Sequence, residues 1–261
     1  MRFLVKYKCI LLFLLMFPSI GNSETTNIRT INIRTINIST IDWCPFICPS
    51  NAEKPGFLVE YTQAIFNKAG IKVRFTAYPW SRAILNTEQG ATVALLSPAK
   101  EEAPSLVYPK TKISIQRHCF FSLTEDPWEY KKPASVIGKK ILYPQDALPE
   151  PLEKFREQAQ LTGLPYTKTY NRQATRMLQV GRVESIIMTY YTGSHYLNNN
   201  HLSEDIKVSG CIDSQDLYLA FTPNKNMKDK VKKIMAVFEN GISELKKVNY
   251  FEGLLKKYKL D

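Results

Sequence analysis

Hydrophobic residues along the chain recur at two spacings, one typical of helices and one typical of strands. In the stretch 57–70, Leu58, Tyr61 and Ile65 follow the three- and four-residue spacing of a helix, and Gly70 ends it. The predicted helices are 57–70, 81–88, 149–161, 174–180, 229–247 and 250–258. The predicted strands are 37–41, 71–77, 92–96, 113–123, 138–143, 183–188 and 216–222. This alternation predicts an α/β fold with mainly parallel sheets and helices on both faces.

The first 23 residues have the order of charge and hydrophobicity that is typical of a secretory signal peptide. Arg2, Lys6 and Lys8 precede an apolar run at 9–17, and a small-residue cleavage site ending at Ser23 follows. The apolar run is shorter than the roughly 20 residues that span a bilayer. We therefore expect cleavage after residue 23 and export to the periplasm. The alternative is a membrane anchor that is retained.

Residues 27–41 contain three copies of a five-residue repeat, Asn-Ile-Arg-Thr-Ile twice and then Asn-Ile-Ser-Thr-Ile. A period of five matches neither a helix nor a strand. The stretch 24–36 is therefore predicted to be a flexible leader, and no function is assigned to it. The last copy suits a first strand, because isoleucine and threonine favour extended backbone.

The formal net charge is +11 and would fall to +8 with the three basic residues of the signal peptide removed. Many of the lysines punctuate the two C-terminal predicted helices, which is the usual appearance of a solvated helix face. We therefore expect no nucleic-acid partner. The basic excess fits better with an anionic lipid surface or an acidic ligand. The length suits two domains of about 100 residues, or a single larger one.

Four cysteines follow the signal peptide, and an even number in an exported chain favours disulfides. Of the three possible pairings, we favour Cys44 with Cys48, which closes a small loop, and Cys119 with Cys211, which ties two distant segments. The rival interpretation is a metal-binding Cys-x-x-x-Cys pair. The three histidines show no ligand spacing that would complete such a site, so neither a metal nor another cofactor is expected.

Several short motifs occur in an order that resembles a known family. The first half contains Trp43-x-Pro45-Phe46, Lys54-Pro-Gly-Phe57, Glu60, Tyr78-Pro-Trp-Ser-Arg-Ala83 and Gly90. The second half contains Ile137-Gly-Lys-Lys-Ile141, Gly181-Arg-Val-Glu-Ser185, the stretch 213–221, and the closing segments 241–245 and 258–260. Over residues 37–260 the chain resembles the bacterial extracellular solute-binding proteins of family 3, typified by the amino-acid-binding components of ABC importers.

The resemblance implies the type II periplasmic-binding-protein fold, in which two α/β lobes are joined by two crossing strands. Lobe 1 would comprise 37–115 and 219–261, and lobe 2 would comprise 116–218. The crossings would lie near 115–121 and 217–221, so that the favoured disulfide between Cys119 and Cys211 would brace the hinge side of lobe 2. A ligand would bind in the cleft, and the lobes would close over it by hinge bending.

The resemblance also places ligand contacts on particular residues. Aromatic rings at Trp43 and Trp80 would pack on the ligand, and Arg82 would either bind a carboxylate or pair with Glu60 on the surface. Asp146 stands before a predicted helix, where it would contact ligand or cap the helix. The candidate contacts are Trp43, Phe46, Glu60, Trp80, Arg82, Ser97, Lys100, Asp146, Thr189 and Tyr190.

Two departures from the family pattern argue against an ordinary α-amino acid as the ligand. Amino-acid binders carry an arginine shortly after the Ser97 position, whereas this chain offers only Lys100. A lysine ammonium group is a point charge and cannot donate the two parallel hydrogen bonds of a guanidinium. Thr189 stands where those binders use an aspartate for the ammonium group. The neighbouring Tyr190 and Tyr191 suggest a polar, less charged or ring-bearing ligand.

Catalytic motifs are missing from the sequence: it contains no Gly-x-Ser-x-Gly, no phosphate loop and no His-Glu-x-x-His. A nucleophile pair of His118 and Cys119 would need a free thiolate, which a disulfide removes. We therefore expect a monomeric binding protein, not an enzyme, that captures an amino acid-like or other small polar solute for a membrane permease. The alternatives are a receptor read by a membrane sensor, or a dehydratase or lyase on the same fold using Glu60.

Overall fold

In the computed structural model, residues 33–145, 147–167, 169–212 and 214–260 are described. The predicted signal peptide and most of the predicted leader lie outside these residues, as does Asp146. Within the described ranges, no helix is both long enough and apolar enough to cross a membrane.

The first sheet has four strands: β1 (Thr35–Thr40), β2 (Lys72–Ala77), β3 (Ala94–Leu96) and β11 (Leu219–Phe221). Their order is β11-β3-β1-β2, with β1 parallel to β2 and β3 and with β11 antiparallel to β3. The helices packed around it are α1 (Phe57–Asn67), α2 (Trp80–Glu88), α5 (Lys228–Lys247) and α6 (Tyr250–Lys257). We call these elements lobe 1.

The second sheet has five strands: β5 (His118–Leu123), β6 (Lys140–Pro144), β7 (Gln160–Leu164), β8 (Ser185–Thr189) and β9 (Ile206–Cys211). Their order is β7-β6-β8-β5-β9, with β6 parallel to β7 and β8 and with β5 antiparallel to both its neighbours. The helices α3 (Tyr170–Gln179) and α4 (Tyr190–Asn199) pack against it. We call these elements lobe 2.

A two-stranded antiparallel ribbon connects the lobes, formed by β4 (Ser114–Gln116) and β10 (Gln215–Leu217). The Nε2 of Gln116 donates a hydrogen bond of 2.7 Å to the Oε1 of Gln215 within this ribbon. The predicted long strands over 113–123 and 216–222 are thus each divided into one strand of the ribbon and one strand of a lobe. The predicted α/β fold with mainly parallel sheets is confirmed in its core strands, although β5, β9 and β11 run antiparallel.

Both favoured disulfides are present. The first, Cys44–Cys48, closes a tight turn directly after β1. The second, Cys119–Cys211, joins residues that lie opposite each other on β5 and β9, next to the connecting ribbon. The metal-binding interpretation of the Cys-x-x-x-Cys pair is therefore wrong, because both thiols are consumed.

The C-terminal lysines lie on the solvent side of a helix whose other face is buried in lobe 1. On α5, residues at three- and four-residue spacing are buried, including Val231, Ile234, Phe238 and Ile242. This burial is what the alternation of lysines and hydrophobic residues predicts for an amphipathic helix.

One local prediction of secondary structure is wrong, and two elements were missed. The predicted helix 149–161 is a short 3-10 helix, Glu150–Phe155, followed by β7, because two prolines and a single buried position, Leu152, give the segment little helical face. Two elements, α4 and β9, were not predicted at all. The α4 sequence contains glycine, threonine and asparagine, all weak helix formers.

Candidate ligand-binding site

A cavity of about 990 Å³ lies between the two lobes, lined by the segments that follow their parallel strands. Lobe 1 supplies the ends of β1 and β3 and the start of α2. Lobe 2 supplies the segments after β6, β7 and β8, while the connecting ribbon closes the back. Ligands of open α/β sheets bind beyond the carboxyl ends of their strands. The topology therefore places the cavity where a small-molecule site is expected.

Trp43 lines the lobe 1 side of the cavity and stacks on Phe46. The two ring centroids are 3.9 Å apart and the planes differ by 8°. Phe46 is fully buried and is not part of the lining, and its role as a ligand contact stays a prediction that this geometry does not support. Phe46 supports one face of the Trp43 indole, whose remaining surface borders the cavity.

Trp80, the first residue of α2, also lines the cavity, whereas its neighbour Arg82 is exposed and outside the lining. Arg82 does not pair with Glu60 either. Glu60 accepts hydrogen bonds from the Nζ of Lys257 at 2.6 Å and from the hydroxyl of Tyr258 at 2.7 Å. The Glu60 carboxylate thus ties α1 to the C-terminal segment. The ligand contacts at Arg82 and Glu60 stay predictions, and neither residue borders the cavity.

The segment after β3 approaches the cavity in a constrained conformation. Ser97 has a φ of 69°, in the left-handed region that residues other than glycine seldom adopt. Its backbone N–H donates to the carbonyl of Tyr218 at 2.9 Å, and the N–H of Tyr218 donates to the carbonyl of Pro98 at 3.0 Å. The Nζ of Lys100 lies 4.9 Å from the centroid of the Tyr218 ring. These contacts fix the segment against the chain that leaves the ribbon.

Three buried polar atoms of the lining lack a hydrogen-bond partner among the described residues: Ser97 Oγ, Asn171 Oδ1 and Thr189 Oγ1. Ser97 belongs to lobe 1, and the other two belong to lobe 2. Most buried polar side-chain atoms in proteins are paired, so each exception needs an explanation. All three belong to residues that border the cavity from one lobe or the other.

Charged side chains of the lining are mostly acidic. Carboxylates come from Asp42, Glu101, Glu102, Glu150 and Asp216, and the ammonium group comes from Lys100. Desolvation, and then the charge of Glu101, raises the pKa of Glu102, although its Oε2 accepts a hydrogen bond of 2.9 Å from the N–H of Ala99. The described residues contain no group of three or more His, Cys, Asp or Glu side chains placed to hold a metal ion.

Two uncharged titratable groups of lobe 2 also border the cavity. Burial lowers the pKa of His118, which keeps the imidazole neutral at pH 7. The hydroxyl of Tyr170 donates to the carbonyl of Ile187 at 3.0 Å, and desolvation raises the pKa of this buried phenol. Neither side chain therefore balances the carboxylates.

The N-terminal end of α4 brings lobe 2 into contact with lobe 1 beside the cavity. The Oγ1 of Thr192 donates to the carbonyl of Cys44 at 3.2 Å. The Tyr191 ring packs edge-on against Phe46 and Phe57, each at 5.6 Å between centroids. Tyr190 lies outside the lining, with the guanidinium of Arg117 at 5.2 Å from its ring centroid, and its ligand contact stays a prediction.

Of the ten predicted contacts, five line the cavity: Trp43, Trp80, Ser97, Lys100 and Thr189. Whether they contact a ligand stays a prediction. The sequence analysis missed the acidic residues of the lining, as well as Asn171 and Thr192. Asn171 could have been noticed as a polar residue in the first turn of the helix after β7. The acidic residues are spread over 42–216, and only the topology brings them together.

Neither the family models nor the curated proteins compared with the sequence gave a match. Solved structures did match. One is the L-cystine solute receptor of Neisseria gonorrhoeae in its open form, with a TM-score of 0.65, 18% identity, and coverage of 88% of this chain and 94% of that one.

A histidine kinase sensor domain with similarity to periplasmic binding proteins also matches, with a TM-score of 0.65, 20% identity, and coverage of 87% and 96%. The P235GK mutant of ArgBP from T. maritima matches with a TM-score of 0.63 and 14% identity, and the match covers 87% of this chain and 96% of that one. The chain has the two-lobed fold of periplasmic binding proteins. At these identities the similarity shows the fold, and this agrees with the predicted type II architecture.

Proposed function

We propose that this protein binds one small polar solute in the cleft between its lobes and passes it to a membrane permease of the ABC type. The observation that carries the proposal is the set of unpaired buried atoms on Ser97, Asn171 and Thr189, three residues that border one cavity from both lobes. A buried polar atom without a partner costs about 1–3 kcal/mol. A ligand that satisfies all three recovers this cost only when both lobes surround it.

The mechanism follows from that distribution of contacts. A solute that contacts one lobe stabilises neither the open nor the closed arrangement, whereas one that contacts both favours closure. The β4–β10 ribbon is the only covalent path between the two sheets in the described residues, and it is short enough to act as a hinge. The protein is expected to bind its solute one to one, without turnover, as a periplasmic monomer after cleavage of its signal peptide.

A ligand-sensing receptor is the second candidate, and one observation favours it. A structure that matches this chain over 87% of its length is a histidine kinase sensor domain. In that case the same closure would be read by a membrane sensor protein. The binding step is common to both functions, and the identity of the membrane protein recovered by cross-linking to the ligand-bound form distinguishes them.

Binding is tested by isothermal titration calorimetry on the exported protein, after a thermal-shift screen with amino acids, polyamines, organic acids and sugars. A ligand that binds only the native state raises the melting temperature. We expect one solute class to bind with a stoichiometry of one and to reduce the radius of gyration in solution scattering. The proposal fails if no class binds, or if the solute that binds is converted to a product.

A further inference from the structure

The charge of the cavity is opposite to that of the whole protein. The full sequence carries a formal +11, yet the described lining combines five carboxylates with one lysine. Of the five, Asp216 is neutralised by Lys112 at 2.7 Å. Asp42, Glu101 and Glu150 form no ion pair within the described residues. The net charge alone favours an acidic ligand, whereas the charges that line this cavity do not.

Among the described residues Lys100 is the lysine that borders the cavity, and a single ammonium group offsets the carboxylates only in part. No arginine borders the cavity in the part of the chain that the structure describes. Arg117 lies against the Tyr190 ring, and Lys100 lies against the Tyr218 ring. A ligand carboxylate would thus meet a single ammonium group and no bidentate guanidinium, while facing several negative side chains.

Uncharged groups of the cavity also suit a cationic ligand. Trp43 is backed by Phe46 on one face and borders the cavity with its remaining surface, and aromatic faces attract ammonium groups. Ser97, only 3% exposed, presents a hydroxyl oxygen without a partner. The unpaired Oδ1 of Asn171 is an acceptor only. This oxygen is matched by an N–H donor, whereas the Ser97 hydroxyl can either donate or accept a hydrogen bond.

We infer that the ligand is a small organic cation without a carboxylate, such as a diamine or another alkyl amine. This inference rests on the proposed function and names the chemical class that the same cavity takes. The acidic lining supplies the attraction, and the unpaired oxygens of both lobes accept hydrogen bonds from the ligand's N–H groups.

Matched pairs of compounds test the inference directly. 1,5-Diaminopentane is lysine without its carboxylate, and agmatine is arginine without its carboxylate. Calorimetry on the exported protein is run with both pairs, and with succinate and glucose as acidic and neutral probes. We expect at least one decarboxylated amine to bind tenfold or more tightly than its parent amino acid, with an affinity that falls on raising NaCl from 20 to 200 mM.

Single substitutions then locate the effect. Asp42→Asn and Glu101→Gln should each weaken binding of the amine about two- to fivefold. Glu125→Gln is the matched control, because Glu125 is exposed on lobe 2 and lies outside the cavity lining, and it should leave the affinity unchanged.

Three results overturn the inference: parent amino acids that bind as tightly as the amines, binding of succinate or glucose but of neither amine, or equal loss in the control and the cavity variants. In the second case the proposed function survives, because a solute still binds. If none of the six probes binds to folded protein, the cationic class is wrong, and the proposed function is rejected only if the broader screen also gives nothing.

Discussion

Replacing Ser97 by alanine should stabilise the ligand-free protein and weaken ligand binding. The hydroxyl of Ser97 is buried and has no partner in the described structure, and such a group costs about 1–3 kcal/mol. Part of that gain is offset by the small void left behind, so we expect a net gain near 1 kcal/mol. For a protein of this size, the melting temperature would rise by roughly 2–4 °C.

The affinity should change in the opposite direction. Loss of one hydrogen bond to the ligand costs about 1 kcal/mol, which corresponds to a roughly fivefold higher Kd. Ser97→Gly extends the test, because glycine also relieves the positive φ of 69° and should stabilise the ligand-free protein by about 1 kcal/mol more. Both quantities come from thermal unfolding and calorimetry on the same preparations.

Ser185→Ala is the matched control. Ser185 is equally buried, but its hydroxyl donates to the carbonyl of Phe121 at 3.2 Å and it lies outside the cavity. Its removal should lower stability by about 1 kcal/mol and leave the affinity unchanged. If Ser97→Ala lowers the melting temperature as much as the control does, the Ser97 hydroxyl is paired in the free protein and the reasoning is refuted.

Three further predictions address the charge of the cavity, the Glu60 carboxylate and a disulfide. Binding of a cation, measured by calorimetry between pH 7.5 and 5, should weaken as the pH falls, because desolvation raises the pKa of Glu102 and this carboxylate then loses its negative charge at a higher pH than an ordinary glutamate. Glu60→Gln should lower the unfolding free energy by about 1 kcal/mol, because two donors lose a charged acceptor, but should not change Kd. Replacing Cys119 and Cys211 by alanine should destabilise the protein by about 2–4 kcal/mol in denaturant unfolding, because a long loop is no longer closed.

Sequence reasoning succeeded where a local pattern determines the outcome. The amphipathic spacing of α5 and the strand–helix alternation of lobe 1 predict elements that the structure contains. It failed where local preference and tertiary environment disagree. In α4, weak helix formers become helical because Thr192, Gly193 and Leu197 are buried, and Gly193 lies so close to Phe121 that a Cβ would clash. In 160–164, edge pairing with β6 makes a strand whose first two residues were predicted as the end of a helix.

The candidate site could be predicted only in part, for a different reason. Motif resemblance locates positions such as Trp43 and Ser97, but it does not report which polar atoms stay unpaired. Glu60 illustrates the limit, since its partner Tyr258 is 198 residues away in sequence. The acidic character of the cleft is likewise invisible in a net charge of +11, because the cations lie on outward faces and the carboxylates meet at the strand ends.

Phe46 shows how a residue outside the cavity lining can still influence binding. It stacks beneath Trp43 and touches Tyr191 of lobe 2, so that a single buried ring joins the cavity wall to the helix that bridges the lobes. Tyr191 contacts both Phe46 and Phe57, and aromatic pairs contribute about 0.5–1.5 kcal/mol each. Any motion that separates the lobes must break these contacts along with the Thr192 hydrogen bond to Cys44. The position of Trp43 is therefore coupled to closure, because Phe46 contacts both the Trp43 ring at the cavity and the Tyr191 ring of lobe 2.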